Sequence, residues 1–221
     1  MSQKSPYQAP DFYARAIAQG RHRDIVGGRW DETGRAQMAL LLDAGLQPHH
    51  HLLDIGAGSL RLGCKAVPYL DPGHYWATDP SRDMMVTGRT HELPDPDRLP
   101  PAHLVQDETF AFPGIPDTIT HALAFAVFPH LTLPHLRLPL ENLRRFPALQ
   151  VFLFTVFLAP QDEAARPYRQ PDGVVTHPAK APFHVLETEL HALATDTGWQ
   201  LTRDARMLPR GQVLFAAQCQ P

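Results

Sequence analysis

A glycine-rich turn beside acidic residues is the strongest chemical signal in the sequence. The stretch 54–63 reads DIGAGSLRLG and begins within the short apolar run HLLDI at 51–55. Glycines at the end of a first strand let a ligand approach the backbone and the N-terminus of the next helix. A dinucleotide-binding turn would carry a third glycine at position 61, where this chain has Arg61. Asp54 would repel a pyrophosphate and suits a ligand that brings an ammonium or a sulfonium group.

A second acidic residue lies where a ribose is commonly held. Asp79 ends the next predicted strand, 25 residues after Asp54. A carboxylate in this position accepts hydrogen bonds from ribose hydroxyls. One acid for a cationic group and one for a ribose describe S-adenosylmethionine better than a nicotinamide dinucleotide.

The elements that must position these residues alternate between strand and helix. Ser81 is a predicted helix cap directly after Asp79. Seven apolar or alternating runs are predicted as strands, at 51–55, 74–79, 103–107, 119–125, 149–157, 199–208 and 212–218. Such alternation predicts an α/β fold, a mostly parallel sheet with helices on both faces, and a closing hairpin that adds one antiparallel strand.

Five short motifs carry a family resemblance. They are GGRWD at 27–31, LDIGAGSLR at 53–61, YLDPG at 69–73, PSRDM at 80–84 and VFPHL at 127–131. On these residues the chain resembles the class I S-adenosylmethionine-dependent methyltransferases, and within them a bacterial small-molecule group, from about residue 25 to the C-terminus. The resemblance implies a Rossmann-like seven-stranded sheet of order 3-2-1-4-5-7-6 and methyl transfer from S-adenosylmethionine.

The resemblance also implies where the cofactor is held. An acid after the third strand commonly binds the adenine amino group; Asp107 fits that place, and Glu108 could substitute for it. The predicted cofactor-binding residues are Asp54, Gly56, Ala57, Gly58, Asp79, Pro80, Asp107, Glu108 and Ala126.

The acceptor side is less clearly marked. His130 follows the fourth strand, and we weigh a general base or a polar contact to the acceptor against a histidine that only shapes its loop. Tyr13 and Trp30 either cover the ligands or pack the N-terminal helices on the sheet. Phe128 is a further acceptor-side candidate, although we expect it to line the core. Arg61 could reach a carboxylate, but we expect it to be solvated.

Composition limits the remaining alternatives. Twenty basic against 23 acidic residues argue against a nucleic-acid groove, and the longest apolar stretch, LQVFLFTVFLA, is shorter than a membrane span. Two cysteines and no apolar leader predict a cytoplasmic protein. The 13 histidines show no metal-ligand spacing, so we predict no metal site. The oligomeric state stays open, a homodimer being one option.

These inferences combine into one prediction of organisation and function. Residues 1–50 form an N-terminal helical cap, and 51–221 a methyltransferase core with a Pro-rich lid at about 160–182. The protein transfers a methyl group to a small-molecule acceptor in bacterial metabolism. Two alternatives stay open: a methyltransferase-like protein that binds the cofactor or a partner without turnover, and a protein methyltransferase. The apolar pair Phe125-Ala126, where polar residues are expected, supports the first alternative.

Overall fold

The computed structural model describes residues 11–220. The helices are α1 (Phe12–Ala18), α2 (Trp30–Asp43), α3 (Gly63–Tyr69), α4 (Arg82–Glu92), α5 (Leu133–Leu143) and α6 (Glu187–Asp196). The strands are β1 (Leu52–Ile55), β2 (Tyr75–Asp79), β3 (Leu104–Gln106), β4 (His121–Ala124), β5 (Val151–Leu158), β6 (Tyr168–Arg169), β7 (Val175–Thr176), β8 (His184–Val185), β9 (Trp199–Arg203) and β10 (Val213–Cys219). Within these residues, every helix is too short or too polar to cross a membrane.

The described residues divide into two compact units, of which the first comprises 11–123 and 146–149. Its strands are parallel and follow the order β3-β2-β1-β4. In the central strand β1, Asp54 lies opposite Ala77 of β2 and Leu123 of β4. All four residues of β1 are buried, as its apolar sequence predicts. The carboxyl ends of β1 to β3 therefore carry the acidic residues along one edge.

The second unit comprises residues 124–145 and 150–220. Strand β5 is apolar and almost entirely buried, and it pairs in antiparallel fashion with β10, which pairs in turn with β9. Strand β8 adds to β5 in parallel, while β6 and β7 form a separate two-stranded sheet. Helix α6 packs on β9 and on α5.

The strand order of the main sheet is β3-β2-β1-β4-β5-β10-β9, which matches the predicted order 3-2-1-4-5-7-6. The predicted count of seven strands is one too few, because β8 adds to β5 as an eighth strand. The predicted strand 199–208 is wrong beyond Arg203. There the Asp204 carboxylate accepts the backbone N–H of Arg206 at 2.8 Å and pairs with its guanidinium. This local turn diverts the chain, and the tight 3₁₀ turn Pro209–Gly211 then leads into β10.

The helical cap and the lid, predicted from sequence, remain predictions about organisation. Helices α1 and α2 lie in the cap range, whose residues 1–10 are outside the described part of the chain. The lid range holds β6 and β7, and the buried side chain of Gln170 ties it down. Its amide donates to Leu158 O at 3.0 Å and to Thr176 Oγ1 at 3.0 Å. Two-residue strands leave no periodicity, so sequence reasoning took this segment for a loop.

The amino edge of the first unit's sheet holds a group of histidines. We call His49, His50, His51, His74, His103 and His121 the histidine cluster. The rings of His51 and His74 stack with centroids 3.9 Å apart, and those of His50 and His121 lie 4.7 Å apart. Among residues 11–220, no group of three or more His, Cys, Asp or Glu side chains is placed to hold a metal ion. Burial lowers the pKa of His50, His51, His103 and His121, so the cluster makes the stability of the fold depend on pH.

Acidification is expected to weaken the fold through this cluster. Burial, and then the neighbouring His50, lower the pKa of His121 from 6.5 to about 4. Between those pH values the unfolded chain binds more protons than the folded one, so the stabilisation present above pH 6.5 is lost as the pH falls toward 4. The wild type loses this contribution on acidification, and His121→Gln does not. We expect the difference in free energy of unfolding between the two proteins to shrink by about 1–2 kcal/mol from pH 7 to pH 4.5.

Urea unfolding at both pH values measures that gap. The carboxylates titrate in both proteins, so their contribution to the pH dependence cancels in the difference between them. His49→Gln, at an exposed position of the same cluster, is the matched control. A gap for His121→Gln that does not change with pH would contradict the assignment.

Candidate functional site

The glycine turn after β1 has the backbone that its sequence predicts. Gly56 and Gly58 adopt left-handed conformations, with φ of 72° and 55°. A Cβ at Gly58 would lie 2.6 Å from Val26 Cγ1, so only glycine fits there. The N–H groups of Gly56 and Ala57 donate to Thr78 O of β2, at 2.8 and 3.1 Å. The turn is thereby fixed to the end of the neighbouring strand.

Asp79 joins this turn to the start of α4. One carboxylate oxygen accepts the N–H of Gly58 and the other that of Ser81, each at 2.9 Å. The Ser81 hydroxyl accepts the N–H of Met84, which makes it the predicted helix cap. Burial raises the pKa of Asp79 to about 6, although both backbone donors lower it. Each oxygen keeps a lone pair that can accept a ribose hydroxyl.

Asp54 lies buried inside β1, one strand from Asp79. The hydroxyl of Tyr75 donates to its Oδ2 at 2.5 Å. Burial raises the pKa of Asp54 to about 7, against the Tyr75 hydrogen bond and the charge of Arg61, which lower it. The nearby charge of Asp79 raises it further. A buried carboxyl group whose ionisation is disfavoured by burial and by a neighbouring acid forms a site that a cationic ligand would stabilise.

Arg61 is not solvated, and that expectation is wrong. It is 7% exposed, because its guanidinium donates to Val26 O at 2.7 Å, Gly28 O at 3.2 Å and Gln37 Oε1 at 3.3 Å. The residue therefore fastens the segment before α2 to the glycine turn. Sequence reasoning missed this role because it treated Arg61 as a helix-surface residue, whereas α3 begins only at Gly63.

Segment 22–28 covers the glycine turn, and α4 anchors it. The Ser59 hydroxyl donates to His22 O at 2.9 Å. Arg23 binds both carboxylate oxygens of Glu92 at 2.7 and 2.6 Å, and His22 Nε2 lies 2.7 Å from one of them. Burial would raise the pKa of Glu92, but the hydrogen bonds from Arg23 and His22 bring it below its usual value.

Trp30 and Tyr13 are both half-buried in this first unit. The guanidinium of Arg23 lies 5.2 Å from the centroid of the Trp30 ring, a cation–π contact. Tyr13 makes an edge contact with Phe12 at 5.5 Å. These contacts join both residues to their neighbours in the N-terminal part of the chain, so packing on the sheet and contact with ligands both stay predictions.

Asp107 caps its own loop at the end of β3. One oxygen accepts both the N–H and the hydroxyl of Thr109, at 2.9 and 3.0 Å. The other accepts the N–H of Phe112 at 2.7 Å and keeps one lone pair for a ligand such as the adenine amino group. Glu108 is exposed beside it, and Pro80 is exposed beside Asp79.

The acceptor-side candidates belong to the second unit. Ala126 has a left-handed φ of 60°, and its N–H donates to Thr155 Oγ1 at 2.8 Å. Phe128 is 2% exposed and packs on Phe152 and Phe154. It therefore supports the loop from inside the core, as expected, and presents almost no surface to an acceptor.

His130 ends the 3₁₀ helix Phe128–His130 and is half-buried. Burial lowers the pKa of its ring below the usual 6.5, so His130 is neutral at pH 7. A neutral imidazole can accept a proton, which is the protonation state a general base needs. Whether it acts on an acceptor stays a prediction.

The known proteins to which this chain is similar share its fold at low sequence identity. No family model and no curated protein matches it. Magnesium protoporphyrin IX methyltransferase from Synechocystis PCC 6803, with bound S-adenosylhomocysteine, is similar in structure at a TM-score of 0.63 and 14% identity, over 94% of this chain and 97% of that one. A 1,6-didemethyltoxoflavin-N1-methyltransferase from Burkholderia thailandensis has a TM-score of 0.60 and 17% identity, over 100% and 94%.

A third similar structure is the putative methyltransferase bound to the Trm112 activator of Haloferax volcanii, with a TM-score of 0.63 and 16% identity over 95% and 98% of the chains. At such identities the likeness shows the fold alone. This chain therefore has the Rossmann-like fold of the class I methyltransferases, over nearly its whole length.

Proposed function

We propose that this protein is an S-adenosylmethionine-dependent methyltransferase that acts on a small molecule. The observation that carries the proposal is the pair of buried carboxylates, Asp54 and Asp79, on either side of a left-handed glycine turn. The similar structures with the same fold include two named for methyl transfer to magnesium protoporphyrin IX or to 1,6-didemethyltoxoflavin, which supports a small-molecule acceptor.

The residues of the first unit fit the cofactor. Asp54 would hold its positively charged amino-acid portion, Asp79 its ribose hydroxyls, and Asp107 or Glu108 its adenine amino group. Gly56, Ala57, Gly58 and Pro80 would line it with backbone or compact side chains. The contact of Ala126 with the cofactor stays a prediction from the sequence. When bound, the cofactor supplies an electrophilic methyl group carried on a sulfonium.

The contribution of the chain is mainly binding and orientation. Methyl transfer from a sulfonium disperses positive charge, so holding the acceptor in line and excluding water accounts for much of the rate. A hydroxyl or ammonium acceptor must also lose a proton, and His130, neutral at pH 7, is the residue we assign to receive it. A carboxylate acceptor would need no base.

Cofactor binding is expected to release a proton. Because the pKa of Asp54 is about 7, about half of these side chains are protonated at pH 7 before binding. A bound ammonium favours the carboxylate form, so S-adenosylhomocysteine should release about half a proton per site at pH 7 and almost none at pH 8.5. Calorimetry in two buffers of different ionisation enthalpy measures this release.

Asp54→Asn is the matched variant, since its amide oxygen can still accept from Tyr75. It should bind more weakly and release almost no proton. Equal proton release by the variant would remove Asp54 from the contact with the cation. No binding of S-adenosylhomocysteine to the wild type would overturn the proposed function, and binding of NAD in its place would favour a dinucleotide enzyme.

Turnover separates the proposal from its alternatives. Binding without methylation of any small acceptor, across phenols, amines and carboxylates, would favour a protein that binds the cofactor or a partner without turnover. Methylation confined to polypeptides would favour a protein methyltransferase.

A further inference from the structure

The second unit contains a cavity of about 420 Å³ that none of the predicted site residues lines. Its walls come from the start of α5, from the segment between β5 and α6, and from the start of α6. Cavities of about 300–1,000 Å³ are those in which proteins hold small organic ligands. The cavity is thus large enough for a molecule of one to three rings.

Hydrogen bonds fix one wall of this cavity. Strand β8 pairs with the carboxyl end of β5, so that His184 lies opposite Phe157. Both ring nitrogens of the buried His184 have partners: Nδ1 lies 2.8 Å from Thr176 Oγ1, and Nε2 lies 3.0 Å from Ala164 O. Because this network is satisfied, the wall is preformed and needs no ligand to order it.

The cavity wall is also joined to the 3₁₀ helix that carries His130. Phe183 lines the cavity, and its N–H donates to Pro129 O at 2.7 Å. Pro129 directly precedes His130. Ligands of open α/β sheets bind beyond the carboxyl ends of the strands, and both β8 and this helix lie at such an end. The cavity is therefore where a molecule held for His130 would be expected.

The chemistry of the lining limits what it can hold. All lining residues are apolar except Thr132, His184 and Glu189, and none is a lysine or an arginine. The hydroxyl of Thr132 is already bonded to His135 Nδ1 at 2.8 Å. Glu189 is exposed, and across residues 11–220 its carboxylate makes no hydrogen bond or ion pair. It is free to accept from a ligand hydroxyl or amine, and it would repel an anion.

The positive end of the α6 dipole does not reverse this preference. Glu187 and Glu189 both lie in the first turn of α6 and offset it. At the start of α5, Pro134 has no N–H to offer an anion.

We infer that this cavity is the acceptor pocket, and that it takes a largely apolar, non-anionic small molecule carrying a hydroxyl or an amine. The assignment as an acceptor pocket rests on the proposed methyl transfer.

Binding of 2-naphthol and 2-naphthoate, a neutral and an anionic molecule of the same ring size, tests the inference. By ligand-observed NMR we expect the wild type to bind 2-naphthol at least about threefold more tightly than 2-naphthoate. Ala165→Trp, which fills the cavity from its lining, should weaken 2-naphthol binding at least tenfold. Ala179→Trp is the matched control, an exposed alanine of the same segment that does not line the cavity, and it should change binding less than twofold.

Glu189→Gln should bring the two affinities together, because the charge that repels the anion is gone. S-adenosylhomocysteine binding by each variant, unchanged within twofold, shows that the fold is intact; Ala165→Leu replaces the tryptophan variant if that protein does not fold. Equal effects of the two tryptophan substitutions, or equal binding of naphthol and naphthoate by the wild type, would overturn the inference. If the wild type binds 2-naphthol but not S-adenosylhomocysteine, the proposed function is overturned and the cavity is a ligand site without the acceptor role.

Discussion

Replacing Asp79 by asparagine is expected to weaken binding of S-adenosylhomocysteine by about 100-fold or more. The carboxylate is buried, and each of its oxygens already receives one backbone N–H from the glycine turn or from the start of α4. It is the group we assign to the two ribose hydroxyls. Hydrogen bonds to a charged group contribute ~1.5–3 kcal/mol each, and ~1.4 kcal/mol is a tenfold change in affinity. Two such bonds lost or weakened give the stated effect.

Isothermal calorimetry measures this change, and Asp83→Asn, at an exposed position of α4, is the matched control. The Asp79→Asn substitution also perturbs the turn, because an amide nitrogen would face the N–H of Gly58 or Ser81. An analogue of S-adenosylhomocysteine without ribose hydroxyls separates the two effects. The substitution should weaken binding of this analogue much less than it weakens binding of S-adenosylhomocysteine. If Asp79→Asn binds the parent ligand within threefold of the wild type, Asp79 does not hold the ribose.

The part of the site that sequence reasoning predicted depends on local rules. A strand that ends in glycines and a strand that ends in Asp79 bring their ends together whenever the strands are parallel neighbours, and β1 and β2 are such neighbours. The left-handed φ of Gly58 and the cap at Ser81 are also local properties, set within a few residues. These features follow from residue type and order alone.

The part of the site that sequence reasoning missed depends on contacts between residues distant in sequence. Arg61 meets the carbonyl oxygen of Val26 across 35 residues, and Tyr75 meets Asp54 across 21. No periodicity marks either partner. An arginine after a glycine turn has the same local pattern whether it is solvated or buried, so only its burial in the structure decides between the two.

The short strands between β5 and α6 were not predicted, for a different reason. Its order comes from single buried polar side chains, Gln170 and Thr176, which hold strands of two residues each. The segment is rich in prolines and polar residues, a composition typical of loops. Glu189 likewise became a candidate ligand contact only because it lines the cavity, since a helix glutamate is ordinarily only solvated.

His130 carries the largest expected effect on turnover. With a hydroxyl or amine acceptor, His130→Ala should lower the methyl-transfer rate by roughly 100-fold, the low end for losing a positioned base. The affinity for S-adenosylhomocysteine should stay within twofold, because the residues assigned to its ribose, adenine and amino-acid portion lie on other strands. Steady-state rates with the best acceptor from a screen of phenols and amines, together with calorimetry, measure both quantities. His91→Ala, at an exposed histidine of α4, is the control.

Two readouts distinguish a base from a residue that shapes its loop. Burial lowers the pKa of His130 below 6.5, so the wild-type rate should be constant above that pH and fall below the lowered pKa as the ring becomes protonated. His130→Ala should lose this acid limb, and added imidazole should restore part of its rate by taking the proton in place of the missing ring. A structural defect would produce neither result. An unchanged rate of His130→Ala would show that His130 only shapes its loop. Loss of cofactor binding by this variant would show that His130 supports the fold around the site. In both cases the acceptor would have to lose its proton to water or need no base.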